Sequence, residues 1–180
     1  TVEINDSTTN GPTIGNGYWF GRSVENIGDL DGDGVNDLAV GAILDYGGGS
    51  KRGTVNIHFM NSDGSVKSTV EIDDTTTNGP TLSDNDRFGY AIANIGDLDG
   101  NGVNDLAVGA AHDDTASDGN DGSLGVNSNI GAVHIIFLNS DGTLTKQSVV
   151  INDSTANGPV LGLTHYFGRS VENIGDLDGD

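Results

Sequence analysis

The 180-residue chain has no cysteine, which excludes a disulfide framework and any thiolate metal site. Bases are scarce: 7 lysines and arginines stand against 27 acids, for a net charge of −20. The seven (Arg22, Lys51, Arg52, Lys67, Arg87, Lys146, Arg169) are scattered along the sequence and give no visible cationic patch. Phosphate binding needs clustered Lys and Arg, so neither nucleic acid nor an anionic membrane is an expected partner. No apolar run reaches the length of a transmembrane helix, and no membrane insertion is expected. The opening TVEINDSTTNGP does not read as a signal peptide. Helical periodicity is missing over any useful length. The acids do not form a disordered tail, because they stand at regular positions between apolar β-type runs.

What is abundant is glycine, 29 residues, and self-similarity. Phe-Gly occurs at 20–21, 88–89 and 167–168, spacings of 68 and 79 residues. Each is followed by a short apolar stretch and an Asp-rich loop, and the first two then reach Asp-Leu-Ala-Val-Gly-Ala. A larger period of 147 residues relates INDSTTNGP (4–12) to INDSTANGP (151–159), so the repeating object is a pair of units. The stretches 53–60 and 131–138 alternate. Val55, Ile57 and Phe59 fall on one face, with Thr54, Asn56 and His58 on the other; Val133, Ile135 and Phe137 repeat the apolar face. Each leads through Asn-Ser-Asp-Gly into another β-type run, 65–72 or 143–151, making a hairpin. With 20–28 and 37–42 this gives four antiparallel strands in about 70 residues, the pattern of a β-propeller blade. The expected fold is all-β, two full blades with partial flanking blades. Residues 1–17 read as the last strand of a preceding blade and a linker, and 18–85 as blade one. Residues 86–164 read as blade two, with a longer polar loop at 112–130, and 165–180 as the start of a truncated third. Two blades cannot close a ring of four to eight, so the ends are expected to be fragment boundaries.

The loop at 29–37 places carboxylates at its positions 1, 3, 5 and 9: Asp29, Asp31, Asp33 and Asp37. The second places Asp97, Asp99, Asn101 and Asp105, and a third begins with Asp176, Asp178 and Asp180. Alternate residues of a tight turn can converge, and glycines let the backbone curl. Acids this close repel unless a cation neutralises them. Hard oxygen ligands in a flexible loop suit Ca²⁺, with the backbone carbonyls of Val35 and Val103 as natural additional ligands. Two complete calcium sites and an incomplete third are expected. An EF-hand is excluded: its position 12 needs Glu, where this chain has Val40 and Val108, and its flanks need helices. Turn chemistry alone also favours Asp, Asn and Gly, but does not account for three loops in register.

Phe-Gly, the Asp loop and Asp-Leu-Ala-Val-Gly-Ala together resemble the FG-GAP repeat, the blade unit of integrin α-chain propellers and of many bacterial surface proteins. The chain departs at the third element, which lacks proline (Gly41-Ala42-Ile43, Gly109-Ala110-Ala111), and at Asn101, which predicts a weaker second site. The resemblance implies an extracellular or cell-surface location, calcium-supported rigidity, recognition by loops and no catalysis. The leading expectation is a calcium-binding structural or adhesive repeat segment. The alternatives are a non-catalytic propeller module of a secreted enzyme, or a subunit of a ring or filament assembled by strand exchange. Expected partners are neighbouring blades or other copies of the chain, and a protein or glycan ligand.

Other groups carry less. His58, His112, His134 and His165 read as surface or packing histidines, and no nucleophile context or phosphate-cradling loop is present. Tyr18, Trp19 and Phe20 could stack on a sugar but fit blade packing better. Asn5 and Asn152 head nominal glycosylation acceptors, and Asn10, Asn78 and Asn157 mark Asn-Gly-Pro turns between blades.

Overall fold

The computed structural model describes residues 1–114 and 129–177. Eight strands form two four-stranded antiparallel sheets, each in simple sequential order. The first contains β1 (Phe20–Gly28), β2 (Asp37–Ala42), β3 (Thr54–Met60) and β4 (Val66–Ile72). The second contains β5 (Phe88–Gly96), β6 (Asp105–Ala110), β7 (Ala132–Ile136) and β8 (Val149–Ile151). These are the two all-β blades that the alternating, β-branched segments predict. Their registers correspond. Val24 pairs with Val40 as Ile92 does with Val108, and the irregularities between Phe20 and Val24 recur between Phe88 and Ile92.

The strand alternation is only half of what burial shows. All of β3 is buried, including Thr54, Asn56 and His58, because the sheet is covered on both faces. Val55, Ile57 and Phe59 enter a core shared with Phe88, Ile92 and Leu106 of the second blade. On the other face the Phe20 ring stands edge-on to His58, with centroids 5.8 Å apart. Burying each Ile or Phe contributes about 1.5–3 kcal/mol, so this shared core is a principal tie between the blades.

The Phe-Gly and Gly-Ala elements explain one another at the interface. A Cβ on Gly41 would lie 2.1 Å from the carbonyl oxygen of Gly89, and one on Gly109 would lie 1.8 Å from that of Gly168. Glycine at these points lets the entry of one blade lie directly on the second strand of the blade before it. The Phe88 N–H donates to Arg52 O at 2.8 Å and the Phe167 N–H to Ile130 O at 2.9 Å. A ladder of asparagines follows the same line. Asn94 Nδ2 donates to Asn26 O (3.3 Å) and Asn173 Nδ2 to Asn94 O (2.9 Å). The Oδ1 atoms of Asn26, Asn94 and Asn173 accept the N–H of Gly28, Gly96 and Gly175.

Three stretches differ from expectation. The run 143–151 yields a strand only at Val149–Ile151, preceded by a lone bridge between Leu138 and Leu144. Its middle is drawn to the inter-blade linker: Ser148 N–H donates to Asn78 O, and Gln147 Nε2 donates to Gly79 O at 2.7 Å. Residues 1–5 form no strand pairing among the described residues. The third Phe-Gly segment joins blade two through a parallel bridge of Phe167 with Gly131 but builds no strand among the described residues. The turns after strands four and eight and after Ile4 share one plan. Asn5, Asp73 and Asn152 each cap the N–H two residues on (2.8–3.0 Å). Asn10, Asn78 and Asn157 then adopt left-handed backbone, φ 59°, 62° and 60°.

Candidate metal centres

Each Asp loop connects the first two strands of its blade, and its first aspartate organises the turn. Asp29 Oδ1 accepts the N–H groups of Gly32 (2.8 Å) and Asp33 (3.0 Å), and its Oδ2 accepts that of Gly34 (2.8 Å). Asp97 does the same with Gly100, Asn101 and Gly102. The left-handed glycines at positions 4 and 6 (φ 78° and 89° in the first loop, 78° and 87° in the second) allow this tight curl.

The last aspartate of each loop is a buried brace. Asp37 accepts Leu30 N–H (2.8 Å) and Met60 N–H (2.9 Å), tying the loop to the end of β3. Asp105 accepts Leu98 N–H (2.9 Å) and Leu138 N–H (3.0 Å) in the same way. Burial pushes both carboxyls up, against these hydrogen bonds; the charges of Asp31 and Asp33 push Asp37 further, and that of Asp99 pushes Asp105. A buried carboxylate beside other carboxylates is costly unless a positive charge sits with them.

Asp29, Asp31 and Asp37 each offer an oxygen, all within 4.8 Å of one another, and Asp97, Asp99 and Asp105 repeat the group. These triads could hold a metal ion. The donor set is all hard oxygen, the chemistry of Ca²⁺ or Mg²⁺ rather than of a transition metal. In the second site, Asp99 Oδ1 is buried with no hydrogen-bond partner, an acceptor that a cation would satisfy.

The remaining expected ligands lie differently. Asp33 accepts Val35 N–H at 2.9 Å, and Lys67 Nζ bridges it (2.7 Å) to Asp31 (2.6 Å), which holds its carboxyl below the usual range. Asn101 accepts Val103 N–H (2.7 Å) and donates to Leu138 O (2.8 Å). Val35 and Val103 occupy loop position 7 in both blades. Asp176 is described, whereas Asp178 and Asp180 fall outside the described residues.

His58 and His134 are packed, whereas His165 is exposed. Burial lowers His58 and His134 to about 4, so both are neutral at physiological pH; His58 Nδ1 lies 2.9 Å from Thr69 Oγ1. Tyr18 and Tyr46 pack at 5.6 Å, while Trp19 is 59% exposed. Asn152 is buried, which removes it as a glycan acceptor in the fold. Sequence reading missed the braces and the asparagine ladder, although Asn-Ile-Gly recurs in all three copies.

No family model matches the chain. Among curated proteins, it is 40% identical to integrin alpha pat-2 of Caenorhabditis briggsae over 100 residues, 54% of this chain and 8% of that protein. It is 41% identical to human integrin alpha-IIb over 91 residues, 51% of this chain and 8% of the relative. With human integrin alpha-11 it shares 30% identity over 167 residues, 91% of this chain and 12% of the relative. The chain thus spans about a tenth of the length of the relatives it matches. Its likeness to integrin α chains extends over half to most of its own length and agrees with the FG-GAP, propeller-type reading.

Proposed function

We propose that the chain is a calcium-stabilised, adhesion-type propeller segment of an extracellular protein. Two aspartate triads at the same point of two blades carry this reading, each with carboxylate oxygens within 4.8 Å. The likeness to integrin α chains supports adhesion rather than catalysis. Asp29, Asp31 and Asp37 would hold the first ion, with Asp33 and the Val35 carbonyl as further ligands. Asp97, Asp99, Asn101, Val103 and Asp105 would hold the second, with one charge fewer, and Asp176, Asp178 and Asp180 would begin a third. Bound Ca²⁺ would cancel carboxylate repulsion and pin each loop to the end of β3 or of the strand following β6, so that folding free energy is linked to ion concentration. A calorimetric melt in millimolar calcium and again in excess chelator tests this: a marked fall in Tm with chelator is expected, and equal melts would leave the aspartates as turn formers.

A second reading concerns partners. Phe88 is fully buried under blade one, but the equivalent Phe20 is only half-buried, and Trp19 (59%) and Val24 (57%) beside it are exposed. This edge suits a further blade, from the same polypeptide or a second copy. Sedimentation with and without the Trp19→Ser substitution measures its contribution.

A further inference from the structure

Three of the bases that look scattered in the sequence lie close together in space. The residue two places after each Phe is Arg22, Tyr90 and Arg169 in turn, and stacking of the blades brings these positions together. The Arg22 guanidinium lies 4.1 Å above the Tyr90 ring. Its hydrogen bond to Tyr90, followed by the charges of Arg22, Arg169 and Arg87, lowers that phenol. Arg87 Nη1 donates to His112 Nε2 at 3.1 Å, and His112 Nδ1 faces Asn129 Oδ1 at 2.5 Å. Burial and the Arg87 charge lower the imidazole, and a ring that accepts from Arg87 at Nε2 donates from Nδ1 to Asn129. The Tyr166 ring closes the group, 5.2 Å from His112. Arg87 and Tyr166 both hold left-handed backbone, φ 59° and 52°, a cost that persists only where the surroundings enforce it.

In a chain of net charge −20 these arginines ought to find acids easily. Among the described residues, Arg52, Lys67 and Lys146 pair with carboxylates, whereas Arg22, Arg87 and Arg169 make no ion pair. Arg87 Nε is moreover buried without a hydrogen-bond partner. Asp114 accepts the Asn129 N–H and acts on His112 by its charge. Guanidinium cannot shed its charge, and its fork of N–H groups matches a carboxylate.

We propose that Arg22, Arg87 and Arg169, framed by Tyr90, His112 and Tyr166, form a carboxylate-binding site whose occupant is a short acidic segment of a partner protein. The global charge favours this ligand over a long polyanion, which would be repelled by the surrounding acidic surface beyond this cluster. The proposal rests on the adhesion reading and names the chemistry its binding would use; it does not rest on the calcium sites.

The test is a calorimetric titration of the full chain, in millimolar calcium, with a blocked glycine-rich peptide bearing two adjacent glutamates. The same peptide with glutamines is the control. Saturable binding of the glutamate peptide alone is expected. The exposed pair Arg22→Gln/Arg169→Gln should weaken it at least tenfold, about 1.4 kcal/mol, with Tm unchanged. Equal binding of the glutamine peptide, or undiminished binding by the double variant, overturns the site. An oligogalacturonate that displaces the peptide and binds more tightly overturns the assignment of a protein partner. A calcium-dependent melt with no peptide binding overturns this site alone. Glutamate-selective binding with a calcium-independent melt overturns the calcium reading instead.

Discussion

The two blades share strand order, register and the braces at Asp37 and Asp105, yet their Phe-Gly entries and their Asp loops are held differently. Phe88 is fully enclosed against the preceding blade, while Phe20 stays half-buried, edge-on to His58 of its own blade. In the first loop an ammonium bridges Asp31 and Asp33. In the second, Asn101 stands in the Asp33 position and bonds Leu138 O, and Lys146 reaches only Asp99, at 3.6 Å. Identical motifs therefore make unequal contributions, set by what covers each one.

The largest test of that difference is truncation of the two phenylalanines. Phe88→Ala empties a fully buried site shared by both blades and should cost about 3–5 kcal/mol. Phe20→Ala should cost less than half of that, measured by chemical denaturation in calcium. Equal losses would mean that the leading edge of blade one is covered in solution. The second test exchanges a loop residue. Asn101→Asp restores the charge present at Asp33 and gives up a hydrogen bond to Leu138 O. Calcium affinity of the second site should rise on the order of tenfold, about 1.4 kcal/mol, with isothermal titration as the readout.

How much of this was legible in the sequence follows from where the signal lay. Periodicity and the repeated Phe-Gly placed the strands, because period-two patterns and turn glycines act locally. The triads at 29–37 and 97–105 were legible because each is built within one loop. The same local logic failed for Thr54, Asn56 and His58, whose polar character hid their burial under a second covering face. It failed again for Arg22, Arg87 and Arg169, which converge only when blades stack across 68 and 79 residues. The shortening of β8 came from a linker bond between Ser148 and Asn78, which no pattern within 143–151 announces.

A pH test separates the blades at one residue. Asp86 stands where blade one has Tyr18. Burial, the charge of Asp113 and then that of Asp114 push Asp86 up to about 8, with the Ser83 N–H opposing. An acid raised in the fold binds its proton more tightly there than in the unfolded chain, so its contribution falls as pH rises from the unfolded value to the folded one. His58 and His134, lowered to about 4, act oppositely, but only below about 6.5, where unfolded imidazole takes up protons. Between about pH 7 and 8 the Asp86 effect should lower stability by at most about 1.4 kcal/mol per pH unit. Asp86→Asn should flatten that slope, as read by denaturant midpoints across the interval.

The smallest expected effect is also the one whose sign is informative. Lys67 supplies the charge that Asp31 and Asp33 otherwise lack, so it acts as an internal substitute for a metal ion and as its competitor. In excess chelator, Lys67→Gln should lower Tm slightly, because the acids are left facing one another. In calcium it should tighten the first site, because the ion no longer displaces an ammonium. Lys146→Gln should change the second site less in either condition, since Lys146 touches one carboxylate and rests its ammonium 3.8 Å from the Phe137 ring centre. A Lys67 variant that weakens calcium binding would show the lysine to be a support of the loop rather than a stand-in for the ion, and would remove the main distinction between the two sites.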